Sequence, residues 1–393
     1  MSEHNVQTIP VGSLGIIAME NIRPLSEKVD AYLASWRSER EKASDESALH
    51  FQGYQRDSFI VEAKTPRFGS GEGKGVILES VRGMDLYILV DVLNYSLTYK
   101  LCGMINHTSP DDHYQDLKRL IGAVQGKANR INVIMPFLYE GRQHRRTARE
   151  SLDCAAMLQE LFALGIDNFI TFDAHDPRVQ NAIPDKGFES VPCTYQFIKR
   201  LVRSVPDVRL DGDHLVVISP DEGGMGRAVT FANYLNVDVG MFYKRRDYTQ
   251  IINGMNPIVA HEYLGKDLEG KDVLIIDDMI SSGGSMIEVA KEMKARKANR
   301  VFVAATFGLF TNGLDKFDKA FEEGYITKLL TTNLTYQKPE LFERPYYSSV
   351  DLSKYIALII DTLNHNGSLA DLLSPTDRIN RFLAKHRLEL GEA

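Results

Sequence analysis

The chain has 393 residues, 44% of them apolar and 25% charged, with a formal net charge of −7; this ordinary globular composition leaves room for two domains and for no large disordered part. The acidic balance excludes a broad nucleic-acid surface, so an anion site has to be local. Cys102, Cys154 and Cys193 form no C-x-x-C, there is no basic and apolar leader, and no apolar run nears the ~20 residues of a membrane span; a cytoplasmic protein without nucleic-acid or membrane partners is expected.

In chain order, Leu14–Met19 reads as a buried strand and Pro24–Arg40 as a helix, its proline suiting the first turn. Lys42–Ser47 is polar and reads as a loop, and Arg67–Gly75 is a glycine-dense turn that fits neither G-x-G-x-x-G nor the P-loop. Strands follow at Val76–Glu79 and Leu86–Val90. A helix over Asp111–Gly126 carries Leu117, Leu120, Ile121 and Val124 on one face. Ile131–Met135 is a strand. Thr147 and Glu150 form a capping box for a helix whose stripe is Leu152, Ala155, Leu158 and Phe162, stopped by Gly165.

Asn168–Phe172 is a strand ending in Asp173-Ala174-His175-Asp176. After Pro192 the plan repeats. Leu215–Ile218 ends in Ser219-Pro220-Asp221-Glu222-Gly223-Gly224, and Asp238–Tyr243 ends in Lys244-Arg245-Arg246. From there to Gly270 little is hydrophobic before Ile258, as in a mobile flap. Val273–Ile276, Val301–Ala305 and Ile326–Thr331 complete the strands. Apolar strands alternating with helices imply parallel sheets, with ligands outside the strands' carboxyl ends. The expected fold is α/β, two tandem domains over 1–192 and 193–393, with the last helix packing back on the first.

The strand Val273–Ile276 organises the rest. Asp277 and Asp278 follow it, then Ser281-Ser282-Gly283-Gly284-Ser285, then a helix with Met286, Val289, Ala290 and Met293 on one stripe. A strand, a glycine turn and a helix N-terminus offer backbone N–H groups and a positive dipole end to a phosphate. The carboxylates suit sugar hydroxyls or a Mg²⁺. An empty structural turn remains the alternative for this motif alone.

Four arginines lie between Arg142 and Arg149, where cations oppose a helix dipole, so they read as a phosphate clamp or a salt-bridged surface. His175 between two carboxylates reads as a cation site or a hydrogen-bonded turn. Asp221 and Glu222 read as cation-facing or as an acidic turn. Lys244, Arg245 and Arg246 suit the charge of a phosphoryl group in transfer, or a solvated loop.

In the same order over about Leu14 to Val350, these pieces resemble the ribose-phosphate diphosphokinase family. They are Phe68-Gly69-Ser70-Gly71-Glu72, Val81-Arg82-Gly83-Met84-Asp85, Gly141-Arg142-Gln143, Asp173-Ala174-His175, Ser219 to Gly224, Lys244-Arg245-Arg246 and Asp277 to Ser285.

The resemblance implies two phosphoribosyltransferase-like domains. It also implies transfer of the diphosphoryl group of ATP to the C1 hydroxyl of ribose 5-phosphate. By it, Phe68, Ser70, Gly71 and Glu72 hold adenine from a neighbouring subunit of a homo-oligomer, and Arg142 and Gln143 contact ATP. His175 and Asp221 organise Mg²⁺, and Lys244 and Arg246 are the catalytic cations. Asp277, Asp278, Ser281, Ser282, Gly283, Gly284 and Ser285 bind ribose 5-phosphate.

Ser70, His144 and Ser281 stand where that family commonly has Asp, and extra residues lie near Glu41–Ser58 and Asn94–Pro110. Competing readings are a catalytically silent regulatory homologue and a phosphoribosyltransferase.

Overall fold

A computed structural model describes residues 9–43, 53–246 and 258–391, with backbone alone at 41–43, 244–246 and 258–261. The chain divides into two compact units. One takes Met1–Pro192, Asn333–Tyr336 and Asp351–Ser374; the other takes Cys193–Thr332, Gln337–Val350 and Pro375–Ala393.

The first unit contains β1 (Ser13–Ala18), α1 (Arg23–Ala43), a ribbon of β2 (Ala63–Lys64) and β3 (Val76–Ile77), and β4 (Met84–Leu89). A hairpin of β5 (Thr98–Leu101) and β6 (Met104–His107) follows, then α2 (Pro110–Val124), β7 (Arg130–Ile134), α3 (Asp153–Ala163), β8 (Asn168–Phe172) and β9 (Gly187–Val191). The five-stranded sheet runs β1-β4-β7-β8-β9, all parallel. Its inner strands are mainly apolar because both faces are covered, with Leu86, Ile88, Val133 and Ile170 buried, as is Ile16 of β1, while the edge strand β9 is only half-buried.

A helix from far along the chain, Ser353–Asn364, packs on α1. Arg37, buried, donates to Asn364 Oδ1 at 2.6 Å and to the Tyr54 carbonyl at 3.3 Å, and lies 3.8 Å from Asp361. Arg40 pairs with the same Asp361 through both guanidinium nitrogens. Burial works against that carboxylate's charge, but Arg40, His365 and Arg37 together hold its pKa below the ordinary value.

The second unit contains α4 (Thr194–Ser204), β10 (Leu215–Ser219), α5 (Met225–Leu235), β11 (Asp238–Arg246), β12 (Ile258–Leu264) and β13 (Asp272–Ile280). It continues with α6 (Gly284–Ala295), β14 (Val301–Gly308), α7 (Asp315–Glu322), β15 (Lys328–Thr332) and β16 (Tyr347–Val350). The sheet order is β12-β11-β10-β13-β14-β15-β16, parallel except for β12 against β11. Val216, Ile218, Val273, Ile275 and Val303 form its core with Val289, Ala290 and Met293 of α6.

Several expectations need correction. Val76 and Ile77 form an antiparallel two-residue ribbon with β2, because too few residues there alternate or pack to build a sheet strand. Half of the Thr147–Glu150 box forms, with Thr147 N–H donating to Glu150 Oε2 at 3.3 Å, yet α3 begins only at Asp153. Its buried stripe is Cys154, Met157, Leu158 and Leu161.

Asp277 and Asp278 lie within β13, carried onward by pairing with β14, whose Ala305 faces Asp277. Lys244–Arg246 likewise continue β11 and pair with β12, with a register irregularity at Arg245/Arg246. Of the proposed flap and of the Lys42–Ser47 loop, 247–257 and 44–47 lie outside the described residues. The terminal helix Thr376–Glu389 belongs to the second unit: Ile379 and Leu383 are buried, the helix lies on α4 and α5, and His386 Nε2 meets the Val208 carbonyl oxygen at 2.8 Å.

Candidate functional site

In the second unit, β10 pairs with β13 as far as Ile218 opposite Ile275 and ends at Ser219, while β13 runs on to Ile280. The turn after β10 is held from inside. Ser219 Oγ donates to the Asp221 carbonyl oxygen at 2.7 Å, and Asp221 Oδ1 accepts from Gly224 N–H at 3.1 Å. Gly224 is needed by close approach, since a Cβ there would stand 2.8 Å from Ser219 Oγ and 3.7 Å from Asp277 Oδ1. Asp221 and Asp277 therefore flank one glycine.

Asp277 Oδ1 accepts from Asp278 N–H at 2.8 Å and lies 3.9 Å from Arg227. Burial, then the neighbouring Asp278 charge, push the Asp277 carboxyl well above its usual range, and Arg227 offsets only part of this. Two carboxylates in partial shelter favour whatever shares their charge: a hydroxyl donor, a proton or a hard cation.

Beyond Ile280 the chain turns through Ser281–Gly283. Thr311 N–H donates to the Ser281 carbonyl at 3.0 Å, fixing the turn to the loop after β14. Gly283 stands at φ +77°, and a Cβ there would fall 2.1 Å from Phe317 Cζ. It caps α6 with no side-chain hydrogen bond, so the helix opens with its first backbone donors presented at the turn. Ser281 and Ser282 are half-buried and Ser285 is exposed. Asp221 and Asp277 thus meet beyond the carboxyl end of β10, with Asp278 next to Asp277, and the Ser281–Ser285 turn follows the carboxyl end of β13 at Ile280.

Lys244 lies three residues beyond Met241, which faces Ser219 of β10. At about 3.3 Å per residue, β11 carries it some 10 Å past that edge. The backbone places Lys244 and Arg246 there; their side chains are outside the description.

In the first unit, the carboxyl ends of β7 and β8 meet through Pro136, whose carbonyl accepts from Thr171 Oγ1 at 3.0 Å. Glu140, at φ +56°, turns the chain so that Gln143 N–H reaches its carbonyl at 2.8 Å. Arg142 projects exposed and Gln143 is half-buried. His144 lies over His175, ring centroids 5.4 Å apart, and its Nε2 is 3.5 Å from Asp176 Oδ2.

Asp176 caps the short helix after it and pairs with Arg178, whose hydrogen bonds bring the carboxyl down to about 2. Asp173, a non-glycine at φ +40°, bends the chain out of β8 and leaves His175 exposed. Arg142, Gln143 and His175 share this edge; no spacing in the sequence marks His144 as a contact of His175, and only its departure from the family pattern sets it apart.

Phe68–Glu72 is a separate loop of the same unit. Phe68 N–H donates to the Glu72 carbonyl at 2.7 Å, Ser70 Oγ donates to Glu72 Oε2 at 2.8 Å, and Phe68 itself is exposed. Among the described residues, no group of three or more His, Cys, Asp or Glu side chains stands in metal-holding geometry, and no helix is long and apolar enough to cross a membrane.

Residues 14–165 match the N-terminal domain of ribose phosphate pyrophosphokinase, and residues 193–330 the phosphoribosyl transferase domain. The ribose-phosphate pyrophosphokinase of Vibrio parahaemolyticus is 28% identical over 319 residues, covering 80% of this chain and 91% of the relative. That of Pasteurella multocida is 30% identical over 259 residues, 65% of this chain and 74% of the relative. The phosphoribosylpyrophosphate synthetase structure from Mycobacterium smegmatis covers 90% of this chain and 100% of its own, with TM-score 0.67 at 22% identity, which shows a shared fold.

Proposed function

The chain belongs to the ribose-phosphate pyrophosphokinase family, an ATP-dependent diphosphotransferase, and from that premise we propose how its residues divide the reaction. The C1 hydroxyl oxygen of ribose 5-phosphate bonds to the β-phosphorus of ATP. The bond from the β-phosphorus to the α,β-bridging oxygen breaks, AMP leaves, and the hydroxyl proton passes to solvent. Such a transfer asks mainly for in-line placement and for neutralisation of spread negative charge, with no protein nucleophile.

The observation that carries the assignment is the Gly283 turn opening α6 beside Asp277. Ser281, Ser282, Gly283, Gly284 and Ser285 hold the 5-phosphate through backbone N–H groups and hydroxyls, and Asp277 and Asp278 accept from the ribose hydroxyls. Ser281 in place of an Asp keeps its carbonyl bond to Thr311, so the turn survives while a carboxylate is lost.

Phe68, Ser70, Gly71 and Glu72 receive adenine, and the exposure of Phe68 suits service to a neighbouring subunit of a homo-oligomer. Arg142 and Gln143 contact the ATP phosphates, where the arginine fork suits two oxygens. Lys244 and Arg246 stabilise the migrating group. A cytoplasmic setting, with ATP and ribose 5-phosphate as the substrates, is part of the same proposal.

Each unit offers its own contact for a Mg²⁺ carried on the substrate phosphates: exposed His175 in the first unit and half-buried Asp221 in the second would be the residues that meet it. The donor chemistry fits in different ways: Mg²⁺ keeps several waters and takes one or two carboxylates plus substrate phosphates, so Asp221 would meet it directly and the His175 ring through one of its waters. When bound, it supplies charge neutralisation on the ATP phosphates.

The test is AMP release dependent on both substrates. Lys244→Ala should lower kcat about 10²- to 10³-fold, the scale of losing one transition-state donor. Equal AMP release by variant and wild type removes the assignment of Lys244.

A further inference from the structure

The hairpin β5–β6 lies in the extra segment Asn94–Pro110, and no role for it follows from the reaction. Its tip is a tight turn with Cys102 at φ +50° and Gly103 at φ +84°, the left-handed pair that suits a two-residue hairpin loop. It is docked on the loop carrying Phe68–Glu72. Cys102 N–H donates to the Gly69 carbonyl at 2.8 Å. Gly71 sits at φ +91°, and a Cβ there would lie 2.6 Å from Leu101 Cδ1 and 3.7 Å from Tyr99 Cε2.

The start of the loop is held by the same hairpin. The Arg67 guanidinium lies over the Tyr99 ring at 5.1 Å and reaches Asp116 of α2 at 2.6 and 2.8 Å. The Tyr99 hydroxyl accepts from Asn106 Nδ2 at 2.9 Å, and lies 3.5 Å from Asp112 Oδ2, the carboxylate that closes the capping box of α2. Leu101 and Tyr99 are half-buried here, although Met104 and Ile105 on the other strand are 66% and 74% exposed. The hairpin therefore spends its packing on this loop.

We propose that β5–β6 is a nucleotide-specific brace: Tyr99 and Leu101 are positioning residues that hold the Phe68–Glu72 loop in its adenine-receiving shape. This rests on assigning that loop to ATP. A loop of small residues with an exposed aromatic tip has little packing of its own, so its order has to come from a neighbour. The hairpin supplies a backbone hydrogen bond at Gly69, a wall at Gly71 and a stacked ring at Arg67.

The test compares Leu101→Ala, Tyr99→Ala and Tyr99→Phe with Glu72→Ala in the full chain. Leu101→Ala and Tyr99→Ala should raise the KM for ATP about five- to tenfold, each tenfold being about 1.4 kcal/mol, while kcat and the KM for ribose 5-phosphate stay within about twofold. Tyr99→Phe keeps the ring over Arg67 and should stay near wild type.

Hydrogen exchange at the 69–74 amides should quicken in Tyr99→Ala and return in Tyr99→Phe, a readout independent of turnover. If Glu72→Ala raises the ATP KM but neither hairpin variant does, the brace is refuted and the loop assignment stands. If Glu72→Ala leaves the ATP KM unchanged, the loop assignment fails and the brace with it.

Discussion

Gly283 carries two constraints at once, a left-handed φ of +77° and the Phe317 ring against its Cα. An L side chain pays about 1–2 kcal/mol for that φ alone, and the ring has to move as well. Gly283→Ala should therefore destabilise by about 2 kcal/mol or more, visible as a lowered urea midpoint, and raise the KM for ribose 5-phosphate. At Asp91 the issue is charge. Burial raises its carboxyl to about 7 despite hydrogen bonds from Leu93 N–H, Tyr336 N–H and Thr335 Oγ1. The folded chain thus binds this proton more tightly than the unfolded chain, whose carboxyl titrates near about 3.9. Its contribution is full below that value and is lost as pH rises to about 7. Asp91→Asn should flatten the fall of urea midpoint with pH across that window.

At the scale of elements, α1 and the helix Ser353–Asn364 are joined around Asp361. Removing it leaves Arg37 buried without its nearest carboxylate, and one partner lost from a buried pair costs about 3–5 kcal/mol. Asp361→Ala should lower the melting temperature accordingly, whereas Lys28→Ala, at an exposed pair with Asp351, should leave it almost unchanged. This union was not legible in the sequence, because Arg37 and Asp361 are distant in the chain and each sits in an ordinary helix pattern. What was legible is local. β8 falls on Asn168–Phe172 as read, and α6 buries Met286, Val289, Ala290 and Met293 as its spacing requires. Local signals misled where a neighbouring strand decided the outcome. Asp277 and Lys244 look like residues beyond strand ends, yet β14 and β12 extend the pairing through them. The Thr147 box shows the reverse: its hydrogen bond forms, but no apolar residue starts the helix there, so the packing of Cys154 and Met157 sets where α3 begins.

For the whole molecule, the Gly283 turn and the Asp277–Asp278 pair were readable because both lie in one run of sequence. The brace at Gly71 was not, since its partner is an inserted hairpin. The division of the chain has a further result. The first unit takes Asn333–Tyr336 and Asp351–Ser374 from far beyond Pro192. A fragment ending at Pro192 lacks Asp361, Asn364, Thr335 and Tyr336, so Arg37 loses its carboxylate and amide partners and Asp91 two of its three donors. That fragment should show no cooperative thermal transition by circular dichroism, and a sharp two-state melt would contradict it.

The same threading bears on synthesis at the ribosome. Domains of most chains condense in the order in which they emerge, but here the leading sheet cannot seat its late helix until residue 364 has been made. Arg37 and the α1 face that receives that helix stay open through nearly the whole of translation. A nascent chain stalled shortly after residue 332 should therefore keep its leading half susceptible to protease, and lose that susceptibility once elongation passes the helix.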